Sequence, residues 1–97
     1  MIQQLKHITP FIDFGFGITQ VQVTAGQPVT VWLTTLYNQD VYTFSLAAQG
    51  TVTKISNYEY VVAQTHPGTY TIKLSVNTSD KKISLVSNIL TLTVTGI

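Results

Sequence analysis

From residue 18 onward, apolar side chains recur at every second position in short runs broken by turn residues. I-T-Q-V-Q-V-T puts Val21 and Val23 on one side, and P-V-T-V-W-L-T-T-L puts Val29, Val31 and Leu33 opposite Thr30, Trp32 and Thr34. V-Y-T-F-S-L-A aligns Tyr42, Phe44 and Leu46. After a short T-V-T-K comes Y-E-Y-V-V-A with Tyr58, Tyr60 and Val62 together. The clearest run, T-Y-T-I-K-L-S-V, sets Tyr70, Ile72, Leu74 and Val76 against Thr71, Lys73 and Ser75, and the last, N-I-L-T-L-T-V-T, points Leu90, Leu92 and Val94 one way. A period of two is that of a strand with one buried face. The intervening Ala25-Gly26-Gln27, Y-N-Q-D, Gln49-Gly50, Ser56-Asn57, T-H-P-G and N-T-S-D-K-K are turn clusters. No helical periodicity spans ten residues. The pattern predicts an all-β, antiparallel sandwich of about seven strands over residues 18–97.

The phase breaks twice. Ile83 and Leu85 are odd-numbered whereas Val86 and Leu90 are even, which predicts a bulge or strand break near Val86-Ser87. Before residue 18 the apolar positions are Ile8, Pro10, Ile12, Phe14, Phe16 and Ile18, all even, out of phase with Val21 and Val23. Residues 1–17 therefore read as an extended N-terminal arm, separated from the sandwich by a bulge or a change of sheet near Gly17. The arm's other side carries Phe11, Asp13, Gly15 and Gly17, and the glycines would admit another backbone at close range.

Composition removes most chemistry. The 97 residues suffice for one domain with one core. Only 9% are charged and there is no arginine, so no basic stripe exists to neutralise phosphates and no nucleic-acid partner is expected. Sixteen threonines supply polarity in a form suited to a pleated surface. Without cysteine there is no disulfide framework or thiolate metal site. His7 and His66 lie in separate segments, and Asp13, Asp40, Glu59 and Asp80 sit apart from any nucleophile motif. Asp13-x-Gly15-x-Gly17 lacks the spacing, lysine and helix of a phosphate loop. The expectation is no enzyme, no cofactor and no metal. No run reaches the length of a membrane span, and the first ten residues carry no signal-peptide core. With Met1 as the start, the product is expected to be a free-standing domain made in the cytoplasm.

H-P-G-T-Y-T-I-K-L-S-V-N at 66–77 resembles the G-x-Y-x-V-x-L-x-V-x-N segment of immunoglobulin-like and PKD-like modules of bacterial and bacteriophage structural proteins. Y-T-F-S-L-A-A-Q-G at 42–50 aligns with the aromatic and turn that PKD-like domains carry upstream of it. The resemblance spans roughly residues 18–95. It implies an immunoglobulin-like sandwich, a corner tyrosine at Tyr70, and Ile72 where antibody domains place a cysteine. Ser45, Ala47 and Gln49 replace the acidic turn of the PKD pattern, and Trp32 departs from the antibody pattern, in which the buried tryptophan comes from the third strand.

Two features remain. Trp32 projects from a strand centre onto a face otherwise made of threonines, either covered by the arm or a long loop or left as an anchor for a partner. The arm offers Phe11, Ile12, Phe14 and Phe16. These five residues are the expected partner-binding set. The expected function is that of a small accessory, or decoration, protein of a bacteriophage capsid or tail, located in the virion after synthesis in the host cytoplasm. It would dock on the major capsid or tail protein through an arm that the sandwich does not need for folding. The alternative is an adhesive or carbohydrate-binding module, or a spacer, of a larger cell-surface protein, with Trp32 stacking on a surface glycan.

Overall fold

A computed structural model describes residues 9–80 and 82–96. His7 and Ile8 of the expected arm, and Lys81, lie outside them. Nine strands form in chain order: β1 (Ile12–Asp13), β2 (Gln20–Thr24), β3 (Val29–Leu33), β4 (Tyr42–Ala47), β5 (Thr51–Lys54), β6 (Glu59–Ala63), β7 (Gly68–Thr78), β8 (Ser84–Val86) and β9 (Leu90–Thr95). One sheet has the order β1-β3-β6-β5 and the other β2-β9-β7-β4, with β8 also on β7. The two sheets pack as a β-sandwich.

The count is nine rather than seven because two segments are each divided. At the N-terminus the chain changes sheet. Ile12 pairs with Leu33 in the first sheet, while Gln20–Thr24 runs parallel to β9 in the second. The second sheet is therefore mixed rather than purely antiparallel. At the C-terminus β8 and β9 share the partner β7 but differ in register. Val76 opposes Leu85, whereas Ile72 opposes Leu90, so four positions along β7 are matched by five along β8–β9. That extra residue is a β-bulge, and it lies where the odd-to-even switch placed it.

The core is built from alternate positions of both sheets. Val31, Leu33, Tyr60 and Val62 come from one, and Phe44, Ile72, Leu74, Val76, Leu90, Leu92 and Val94 from the other, all buried. To these is added Ile12, with no exposed surface. Residues from Pro10 to Asp13 are thus part of the sandwich, which corrects the reading of residues 1–17 as an arm separate from it. Ile12, expected in the partner-binding set, is instead a core residue.

Tying β1 down falls to the bulge. β1 is an edge strand whose Phe11 carbonyl accepts from Thr34 N–H, so the N–H and C=O of Ile12 point away from β3. Asn88 meets both. Its Oδ1 accepts from Ile12 N–H at 2.7 Å, and its Nδ2 donates to Ile12 C=O at 2.9 Å. A side-chain amide here stands in for a neighbouring strand's peptide group. Beside it, Ser87 maintains the ladder across the bulge: its N–H donates to Leu74 C=O and its Oγ accepts from Leu74 N–H at 2.8 Å.

One end of the sandwich is closed by aromatic rings. Tyr37 lies edge-on to Tyr42 at 5.1 Å between centroids and to Phe44 at 5.9 Å, and Tyr58 donates its hydroxyl to Tyr37 C=O at 2.9 Å. Burial pushes the Tyr60 phenol up to about 12, and burial together with the neighbouring Tyr42 does the same to Tyr37. A folded-state pKa above the unfolded value of about 10 means that these neutral phenols support the fold fully below about pH 10. That support is lost as the pH rises toward 12. Alkaline unfolding should accordingly fall in this window, with tyrosinate absorbance and loss of β-sheet circular dichroism titrating together.

Candidate docking surface

The densest aromatic run of the chain, F-I-D-F-G-F-G, makes the crossing between the sheets. Asp13 organises it. Its side chain is almost wholly buried, and its two carboxylate oxygens accept from Gly15 N–H and Gly17 N–H, each at 2.9 Å. An aspartate that bonds the backbone two and four residues ahead holds a tight turn. Phe14 N–H donates to Ile18 C=O at 2.8 Å and Ile18 N–H to Gly15 C=O at 3.0 Å, closing the loop on itself.

Three consecutive residues then take positive φ: Gly15 at 109°, Phe16 at 54° and Gly17 at 77°. Within the domain the glycines serve conformation, since no atom lies within 4 Å of a Cβ built on either of them. Phe16 is the one described non-glycine residue at positive φ, a left-handed backbone that costs an L-residue about 1–2 kcal/mol. Its ring is fully exposed at the loop tip.

The five residues expected to bind a partner therefore divide by environment. Ile12 is core. Phe14 is half-buried against the core. Phe11, Phe16 and Trp32 remain exposed, at 39%, 104% and 40%. Trp32 opposes Asp13 on one side and Glu59 on the other, which places it on the outer face of the first sheet. Phe11 lies diagonal to it on the same face, because Phe11 bonds Thr34 and alternate residues share a side. Asp13, Gly15, Phe16, Trp32 and Thr34 line an open concavity of about 430 Å³. The arm thus lies beside Trp32 and leaves it partly exposed.

Asn88 and Asp13, the two residues that fix this surface, were not among the expected set. Asp13 was signalled by the glycines at its second and fourth following positions. For Asn88 the only signal was the phase break beside it.

Among the described residues no three histidines or acids gather where they could hold an ion. His66 sits in the exposed T-H-P-G turn, where its C=O accepts the Tyr70 hydroxyl at 2.8 Å. No helix among the described residues is long and apolar enough to cross a membrane. Compared with known proteins, the chain matches no family model, and no curated protein matches it.

Proposed function

We propose that this protein is a non-enzymatic docking module that binds a protein surface through Phe11, Phe16 and Trp32, and that it serves as an accessory component of a bacteriophage capsid or tail. The observation that carries the docking reading is Phe16. A large apolar ring is held in an unfavourable backbone conformation, at full exposure, by a buried carboxylate that bonds the glycines on either side of it. Within a fold, such an outlier persists only where the surroundings over-determine it, and these cluster at functional positions. A preorganised ring loses little conformational entropy when it enters a partner's pocket. The virion assignment rests on the resemblance of residues 66–77 to bacterial and phage structural modules. The Tyr70 hydroxyl bond to the backbone four residues upstream supports that resemblance.

Burying Phe16 from full exposure contributes about 2–3 kcal/mol to binding, a factor of roughly 30–150 in affinity. In co-sedimentation with capsids or tails, the wild-type protein should travel with the particles, while Phe16→Ala and Trp32→Ala stay in the supernatant. Both substitutions should change folding stability by less than about 1 kcal/mol, as exposed positions do. Equal sedimentation of wild type and variants would rule out the aromatic surface as the contact.

The concavity between Phe16 and Trp32 favours one second reading, a glycan-binding module in which the rings stack on a sugar. A glycan array separates the two, since a capsid-docking module gives no Trp32-dependent signal there.

A further inference from the structure

A two-sheet sandwich has four edge strands, and this one treats them differently. At β1 the outward N–H and C=O of Ile12 are both taken by Asn88. At β4 the outward carbonyl of Phe44 accepts from Lys54 Nζ at 3.1 Å. At β2 the chain turns back on its own end, where Gln27 N–H donates to Thr24 C=O. β2 and β4 are thus closed at single carbonyls, whereas at β5 no outward group is taken among the described residues.

The orientation of the β5 backbone follows from one bond. Ile55 N–H donates to Glu59 C=O, so by alternation Thr53 and Thr51 exchange bonds with Val61 and Ala63 of β6. The N–H and C=O groups of Val52 and Lys54 therefore point away from the sheet. Among the described residues no hydrogen bond reaches these four groups. All four β5 residues are exposed. T-V-T is β-branched throughout and contains no proline, and the one charged side chain is drawn back toward Phe44. Proline, bulges and outward lysines are the usual means of closing an edge, and an edge without them accepts another strand.

We infer that β5 pairs antiparallel with β5 of a second copy of this chain across a two-fold axis, with Val52 of each copy opposite Lys54 of the other. The occupant follows from register. Only residues with outward backbone groups can form hydrogen-bonded pairs across the axis, so a two-fold centred on the strand can pair Val52 with Val52, Lys54 with Lys54, or Val52 with Lys54. The second opposes like charges. The first leaves Lys54 facing Gly50 of the turn, which has no side chain to pair with. The third makes four backbone hydrogen bonds, places Thr53 against Thr53 on the outer face, and covers the exposed Ile55 with Thr51. β5 is thus complementary to itself, as an isologous interface requires.

Sedimentation velocity from micromolar to millimolar concentration tests this, together with amide hydrogen exchange. The wild type should pass from monomer to dimer, with the Val52 and Lys54 amides gaining protection as it does so. Val52→Pro deletes one outward N–H without touching the ladder to β6, and Thr53→Lys sets two ammonium groups against each other at the axis. Each should weaken association at least about tenfold while circular dichroism stays that of wild type, and Thr53→Lys decides the matter if the proline variant fails to fold. A wild type that stays monomeric throughout overturns the inference. So does a dimer whose affinity the folded variants leave unchanged.

Discussion

Replacing Ile12 by alanine is expected to lower the unfolding free energy by about 3 kcal/mol, within the range seen when a large aliphatic side chain is removed from a packed core. In a domain of this size that corresponds to a fall of more than about 10 °C in the melting temperature. The reason is that Ile12 has no exposed surface and belongs to the same apolar cluster as Val31 and Leu92, although it stands in a strand of only two residues. Asn88→Ala should act on the same element from outside, by about 2 kcal/mol, because it leaves the Ile12 N–H and C=O without their bonding partners. The two effects should fall short of additivity, since each releases β1. Thermal and urea unfolding of the single and double variants measures this. A cost below about 1 kcal/mol for Ile12→Ala would show that β1 does not complete the core, and would return the segment to the role of a free docking arm.

Gly50→Ala is expected to cost about 3 kcal/mol for a different reason. Gly50 has φ of 99°, and a Cβ there would press on the carbonyl oxygen of Ala63 and lie 3.3 Å from Gln64 Cα. Both obstacles are backbone, so neither can swing aside. The left-handed conformation contributes about 1–2 kcal/mol and the overpacking a similar amount. Gly17→Ala serves as the comparison, because at φ 77° it meets nothing within 4 Å and bears only the conformational part. Denaturant unfolding should rank the two variants with Gly50→Ala clearly the less stable. Equal losses would mean that the β4–β5 turn relaxes away from β6.

Much of the fold was legible because the inner face of each long strand is written at period two. Tyr70, Ile72, Leu74 and Val76, or Leu90, Leu92 and Val94, leave little choice of orientation. The phase break at Val86-Ser87 was equally readable, since inserting one residue reverses every later position. The N-terminal segment misled for a physical reason. Both sheets present their apolar residues to the same interior, so a change of parity marks a crossing between sheets as well as it marks a detached arm. Ile12 and Phe16 share parity, yet one is core and the other fully exposed, because three positive φ angles between Gly15 and Gly17 end the extended chain. The candidate surface was half legible. Trp32 and Phe11 could be placed outward by alternation, but the pairing of Asn88 with the backbone of Ile12 depends on contacts between distant segments that no local pattern records.

That pairing joins residues 76 positions apart, and β2 finds its partner only in β9. The opening strands of the chain are therefore completed by its closing ones. On a ribosome, β3 to β7 can gather as they emerge, but β2 has no sheet to join and Ile12 no amide to hold it until residues 88–95 have been synthesised. Bringing such distant segments together is entropically the most demanding closure in the molecule and belongs late in folding. The loop that carries Phe16 lies between those two strands. The docking surface should thus be the last part of the molecule to take shape, and a nascent or truncated chain lacking its final strand should not present it.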